Sequence, residues 1–393
     1  MLIANTDQRA APRYDPPGWM QWPDHQDYSY RFMQVLGLAQ EGSSAISECF
    51  LTASRITPGD DESWHRQWKE LADACKGRGI LAFEQGNMQT AQSNWLRASN
   101  YYRTAELFLG VDDPRRGHTL QQMRECSHAY LNHLVPKGEI LQIPGPDGRL
   151  MQGYFLRAPG AAALTPVVVC IGGPDHFKEE HLYKMPRQAH ARGLSLLMVD
   201  LPGQGVCPQG NYSVASKNIE MSSSSWLDYL TARHDIDVQR IAIFGDGLGA
   251  SFASRAAGSD ERFSAAVCDG GIWDTYERAF MLKRISGGNT QGSIDEQVER
   301  LWPLTVARGI RCPVLVALGE HDWLEMSYAT EFYGYLRGTG LDLSLKIFAA
   351  SETGAAPAQI DNPTLGTEFI FDWIAARLRT NEGNAAEIDT SET

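Results

Sequence analysis

Hydrophobic positions along the chain follow two rhythms. From Tyr28 to about Leu134 apolar residues recur at three- and four-residue spacing, in RFMQVLGLAQ, WHRQWKELADACKGRGILAF, AQSNWLRASNYYRTAELFL and LQQMRECSHAYLNHL. That is the period of amphipathic helices. Gly86 and Gly110 punctuate the pattern, and Asp112-Asp113-Pro114 marks a turn or a helix start. Ala82 to Phe108 reads as one helix–turn–helix unit with no second copy at a fixed period, which argues against a solenoid. After Pro136 short β-rich runs alternate with helical stretches: ILQIP, MQGYFLRA, PVVVCIGG, LSLLMVDLPGQG, RIAIFGDGLG, SAAVCDGG, PVLVALGEHD and LSLKIFAA. Runs as continuously apolar as VVVCI, SLLMV and IAIF are strands buried on both faces, so the sheet is mostly parallel and covered by helices. The first two runs, joined by Gly145-Pro146-Asp147-Gly148, read as an antiparallel hairpin. The pattern predicts an N-terminal arm at 1–27, a helical lid and dimerisation domain at 28–135, and an α/β core at 136–380. A helical, Gly-rich insertion at 276–308 roofs the carboxyl ends of the strands, and a polar tail at 381–393 is expected to be disordered.

Composition narrows the function classes. A chain of 393 residues with 43% hydrophobic content can bury a large core in two domains or one elaborated domain. A net charge of −13 disfavours nucleic acid and anionic lipid, and fits a neutral or cationic small molecule or a protein partner better. The cysteines (Cys49, Cys75, Cys126, Cys170, Cys207, Cys268, Cys312) are dispersed without a C-x-x-C pair, as reduced buried thiols would be, and metal-ligand spacing is absent. The N-terminus lacks the charged start and apolar run of a signal peptide, and no window approaches the ~18 apolar residues of a membrane helix. The expectation is a soluble cytoplasmic protein with no metal or cofactor, no membrane and no nucleic acid.

In an open α/β sheet ligands bind beyond the carboxyl ends of the strands. Four loops converge there: Gly172–Glu180, Gly245–Ala250, Asp269–Glu277 and Gly319–Leu324. The sharpest signal is RIAIFGDGLGASFASRAA, a strand entering a tight glycine turn from which a helix rich in small residues leaves. This is the context of the nucleophile elbow G-x-S-x-G. Registered on Gly245 and Gly249, the serine slot holds Gly247. A nucleotide-binding glycine loop is the alternative, weakened by the missing second half of the fingerprint and its ribose-binding acid.

Beyond the elbow, WLRASNYYRTAELFLGVDDPR, GGPDHFKEE, VDLPGQG and WDTYERA carry a closer likeness. The chain resembles the α/β-hydrolase superfamily, and within it the FrsA-like group that includes 2,6-dihydroxypseudooxynicotine hydrolase and fungal polyketide-shortening hydrolases. The likeness spans about residues 28–380. It implies a helical lid, frequent homodimers, and cleavage of carbon–carbon or ester bonds by Ser-His-Asp. By the same resemblance the acid falls on Asp322, the nucleophile on Gly247, and the family's extra acid on Glu277. The histidine belongs in SETGAAPAQIDN, where Pro357 or Ala358 stands and no histidine occurs. The second oxyanion donor falls near Pro174, which has no N–H, leaving that of Leu248.

A chain without serine and histidine has no obvious route through an acyl-enzyme. The remaining candidates for acid, base or nucleophile are Glu277, Asp246, Asp322 and His176, with Asp269, Asp274 and His321 nearby. Under a lid a carboxylate's pKa rises toward neutrality and makes it a general acid or base. Asp246 is also a candidate nucleophile, one residue early for an aspartyl ester. Against these roles, Asp322 is equally readable as an acid bonding backbone N–H groups, Asp246 as an arginine's partner, His176 as a helix cap, and His321 as a surface residue. Lys178 and Glu179 read as an ion pair at a helix start. Gly247, Leu248, Gly173, Asp175, Trp273, Tyr276 and Trp323 are the expected substrate contacts. Three functions remain open: a lyase, cyclase or isomerase acting on a polyketide-like or β-dicarbonyl substrate by carboxylate acid–base catalysis, a hydrolase with rearranged residues, and a ligand-binding pseudoenzyme.

Overall fold

The computed structural model describes residues 21–110, 112–160, 164–173, 176–202, 204, 218–271, 309–322 and 326–379. The insertion at 276–308, the tail and most of the arm lie outside these residues. Five helices come first: α1 (Gln26–Gly37), α2 (Ile46–Ala53), α3 (Asp61–Glu84), α4 (Met88–Glu106) and α5 (Pro114–Asn132). Their starts have local causes. The Asp60 carboxylate accepts from the N–H groups of Glu62 and Ser63 ahead of α3, and that of Asp113 from Arg115 ahead of α5, with Pro114 as its first residue. Asp112-Asp113-Pro114 is therefore a helix start. The unit expected at Ala82–Phe108 is larger than its pattern, because α3 already runs for 24 residues before the turn into α4. Trp64, Trp68, Tyr101 and Tyr102 fill the core between these helices, and Trp22, from the expected arm, is buried among them.

All eight apolar runs are strands: β1 (Glu139–Pro144), β2 (Leu150–Leu156), β3 (Thr165–Ile171), β4 (Ser195–Val199), β5 (Ile236–Asp246), β6 (Ala265–Asp269), β7 (Val314–Gly319) and β8 (Leu343–Phe348). They form one sheet in the order β1-β2-β4-β3-β5-β6-β7-β8. β1 pairs antiparallel with β2 and β2 with β4, and the remaining pairs are parallel.

Side chains alternate between faces, so each strand feeds two cores. Val167, Val169, Ile241, Ile243, Ala266 and Cys268 pack against α8 (Asn218–Thr231), α9 (Leu248–Ser259) and α10 (Met326–Gly338). Val168, Cys170, Ala242, Phe244, Ala265 and Val267 pack against α6 (Lys178–Lys184), α7 (Pro186–Ala191) and α11 (Pro363–Arg377). The helical segment docks onto this second layer. Ser99 Oγ shares a hydrogen bond with Tyr183 Oη at 2.8 Å, and Ser43 Oγ donates to the Tyr183 carbonyl at 3.0 Å. Phe177, ahead of α6, enters the helical core with the Arg103 guanidinium 4.7 Å from its ring centre. Among the described residues no helix is long and apolar enough to cross a membrane.

β5 and α9 approach so closely that a Cβ on Gly245 would lie 2.0 Å from the Gly249 carbonyl oxygen. Backbone must move to relieve such a clash. Gly245→Ala is expected to lower unfolding free energy by about 3 kcal/mol or more in denaturant titration. An unchanged midpoint would contradict this packing.

Candidate active site

Strand parity puts two carboxylates side by side. Asp246 ends β5, Asp269 ends β6, and the two are paired in register. Asp246 lies two residues beyond Phe244 and Asp269 two beyond Val267, so both side chains face the layer of α6 and α11. Asp246 is 1% exposed. The Lys184 ammonium, from the last turn of α6, donates to its Oδ2, and His176 Nδ1 donates to its Oδ1 at 3.1 Å. Burial pushes its carboxyl up, but Lys184 and His176 outweigh burial and hold it well below the ordinary range. Asp246 is thus an ionised carboxylate with both oxygens engaged, and its partners are a lysine and a histidine rather than the arginine its sequence context suggested.

Asp269 has the opposite fate. Burial raises its carboxyl to about 7, only partly offset by Lys184 and by the Gln359 amide, which donates to Oδ1 at 3.0 Å. Gln359 sits in the 3₁₀ turn Pro357–Gln359, where the resemblance places a histidine. His181, a turn along α6 from Phe177, is fully buried, and burial lowers it to about 4.

The turn leaving β5 has elbow geometry. Gly247 stands at φ 54°, ψ −125° at the head of α9, and its N–H donates to the Asp269 carbonyl at 2.7 Å. A Cβ at Gly247 meets no described atom within 4 Å. Gly173 lies alongside, where a Cβ would stand 3.5 Å from the Leu248 nitrogen. The Gly173 carbonyl accepts from Gln204 Nε2 at 2.6 Å, which fixes the loop after β3.

His176 lies on that loop. It does not cap α6, whose preceding residue is Phe177. Its Nδ1–H points at Asp246, which leaves Nε2 as the outward nitrogen of a side chain 26% exposed. Burial lowers its pKa, but Glu180 and Asp246 prevail and raise it above the ordinary value. A cleft opens in front, with empty volume of about 790 Å³ that is partly open to solvent. His176, Lys184, Asp246 and Ala358 line one side, and Tyr30, Arg31 and Gln34 of α1 the other. Burial pushes the Tyr30 phenol up; Arg31 and Lys184 oppose the rise, and the charges of Asp322 and Asp246 add to it. Tyr30 and Lys184 carried no motif and were not legible as site residues. Tyr30 lies within α1 and Lys184 at the end of α6, each at an ordinary helical position.

Asp322 is 6% exposed and accepts from the Gly319 N–H at 3.4 Å. His321 is exposed. Lys178 and Glu179 form the expected ion pair at 3.1 Å, extended by Asp200 at 2.7 Å from Lys178 and by the Tyr154 hydroxyl on Glu179 at 2.6 Å. This buried cluster holds the start of α6, and none of its members lines the cleft. Pro174, Asp175, Trp273, Asp274, Tyr276, Glu277 and Trp323 lie outside the described residues. No trio of His, Cys, Asp or Glu among the described residues is arranged to hold a metal, and their cysteines are buried and free.

The family model described as Esterase FrsA-like matches residues 61–281. Hydrolase LUC6 of Fusarium sp is 33% identical over 376 residues, 89% of this chain and 86% of that protein. The chain belongs to the FrsA-like esterase family. Other relatives in the family are 20-hydroxy-prefusarin hydrolase FUS2 of Gibberella moniliformis (28% identical, 90% of this chain and 88% of that one) and Hydrolyase poxO of Penicillium oxalicum (29%, 78% and 73%). Among solved structures, 2,6-dihydroxy-pseudo-oxynicotine hydrolase superposes with a TM-score of 0.71 at 22% identity, covering 87% of this chain and 95% of that one. The fold is thus the α/β-hydrolase fold with an N-terminal helical region, and its scaffold is that of the family's hydrolases.

Between the ordinary carboxyl value of 3.8 and about 7, folded Asp269 keeps a proton that the unfolded chain releases. Stability therefore falls as pH rises through that window and levels off above it. Asp269→Asn, which keeps an acceptor for Gln359, is expected to shrink the difference in unfolding free energy between pH 5 and pH 8 by on the order of 2 kcal/mol. An unaltered pH profile in the variant would show that Asp269 is ionised in the fold.

Proposed function

We propose that this protein is a small-molecule tailoring enzyme that works by acid–base catalysis without an acyl-enzyme. It would act on a polyketide-like or other β-dicarbonyl substrate as a lyase, cyclase or isomerase. One observation carries the reading: a Cβ at Gly247, where the family's nucleophile would project, would meet no described atom within 4 Å, and the preceding Asp246 is a buried carboxylate that orients a histidine. Proton abstraction next to a carbonyl needs a base and a donor for the developing oxyanion, and no covalent step. His176 Nε2 is the base in this scheme. Asp246 positions the imidazole and stabilises its charged form instead of acting as base or nucleophile, since Lys184 and His176 already occupy its oxygens. The Leu248 N–H and the protonated Tyr30 phenol are the oxyanion donors, and neutral Asp269 is a proton reserve behind them. Glu277, implied by the family pattern, is a further acid, with Asp175, Trp273, Tyr276 and Trp323 as substrate contacts and Asp322 as a structural acid.

A second reading has one observation in its favour. The His176–Asp246 pair is also the pair that would activate a water for direct hydrolysis, and the relatives are named hydrolases. We further propose that the chain pairs with a second copy through its helical region, where Ile46, Phe50 and Leu51 of α2 are 62%, 47% and 55% exposed.

Labelled water separates the two chemistries. Incubation with a β-dicarbonyl substrate in doubly labelled water (deuterium and heavy oxygen) is expected to give product without heavy oxygen, while deuterium enters the carbon between the carbonyls faster than in an enzyme-free control. Heavy oxygen in the product would replace the first reading with the second, and an unchanged substrate with no deuterium uptake beyond the enzyme-free control would sink both. His176→Gln is expected to lower kcat at least ~10²-fold, and fluorophosphonate should leave the wild type unmarked. Because the base must be neutral, the rate should rise with pH through a value above the ordinary histidine pKa of 6.5. Phe50→Glu should shift the species seen by light scattering from dimer to monomer. A monomeric wild type would remove the pairing proposal.

A further inference from the structure

The chain as a whole is strongly acidic, and on that ground a neutral or cationic ligand fitted it best. The cleft reverses that balance. Arg31, Arg103, Lys184 and His176 line it, against Glu180 and Asp246. Most of these charges answer one another. Lys184 and His176 hold Asp246, while Arg103 donates to Glu180 Oε1 at 2.8 Å and also pairs with Glu106. Arg31 differs. Its NH1 donates to the neutral amide of Gln34, Oε1, at 3.0 Å, and its guanidinium lies 5.5 Å from the Tyr30 ring centre. Among the described residues no carboxylate stands within ion-pair distance of it, although its field reaches Glu180.

A guanidinium without a carboxylate, on the wall of a cleft that also holds a candidate base, is placed to meet charge on a ligand. Its planar fork matches a delocalised oxyanion bidentately, as an ammonium does not. We propose that Arg31 is the anchor for a planar oxyanion of the substrate, either a carboxylate or the ionised enol of a 1,3-dicarbonyl. α1 would thus supply a recognition residue to a site whose other groups come from the end of β5, the loop after β3 and α6. The inference rests on the cleft being the substrate site, as in the proposed function, but it makes a claim about binding that is independent of turnover. A neutral ketone would gain nothing from Arg31, whereas an enolate would be held with its charge at the α1 side and its carbon skeleton extending toward His176.

The test uses the full chain and ligand-observed NMR with three probes. These are 1,3-cyclohexanedione, which is ionised at neutral pH, benzoate, and 2,2-dimethyl-1,3-cyclohexanedione, which has the same ring but cannot ionise. At least one of the two anions is expected to bind tenfold or more tighter than the dimethyl ring, and the tighter of the two names the oxyanion. Arg31→Gln should erase that preference, and Arg31→Lys should keep part of it, with melting temperatures near wild type showing that the fold survives. Equal affinity for the ionised and non-ionising rings, no binding of either anion, or an anion preference that survives Arg31→Gln would overturn the proposal. Arg31-dependent binding without turnover would leave this inference standing while the catalytic reading fell. Turnover that ignores Arg31 would do the reverse.

Discussion

Two carboxylates end neighbouring strands on the same face of the sheet, and one half-buried ammonium, that of Lys184, acts on both. Lys184 is within reach of Asp246 and acts on Asp269 through space, but burial adds a cost for each ionised group that a single lysine cannot offset twice. Asp246 takes the hydrogen bonds and the charge. Asp269 keeps its proton and accepts an amide hydrogen bond instead. The division depends on geometry that strand parity imposes, since shifting either strand by one residue would send its acid to the opposite face.

From that division the rest of the cleft takes its order. An ionised Asp246 fixes which imidazole nitrogen of His176 carries hydrogen, and so which one faces outward. Glu180 balances His176 on its other side and is itself held at about 2, burial being outweighed by Arg103 and His176. Arg103 continues through Glu106 to Arg116, whose Nε lies 2.5 Å from Glu106 Oε1. Charges therefore alternate without a break from the strand ends into α4 and α5. In such a chain each group stabilises its neighbours' charge states, and removing one member leaves a buried charge unanswered.

Much of the architecture was legible because it is written in periodicity. Short β-rich runs named every strand, and the glycine spacing of GDGLG placed the elbow. The site was legible only in part. His176 and Asp246 stand out by motif, but their contact joins residues seventy positions apart, which no local pattern shows. Lys184 and Tyr30 sit in helices whose patterns are satisfied by packing alone. Gln359 shows the same limit from the other side, as an ordinary polar residue in an irregular loop whose meaning comes from the acid it meets. Charge was the most misleading signal, because a total over the chain says nothing about the sign inside one cleft.

The turn that carries His176 is gripped from two directions. On one side Gln204 holds the Gly172 and Gly173 carbonyls, and on the other Phe177 is sunk among the aromatic rings of the N-terminal helices. The aim of the imidazole is therefore set jointly by sheet and helices. The helical part is more than a cover that could be lifted off a finished site: without it, the strands would still stand, but the ring at the cleft mouth would lose one of the two hands that steady it.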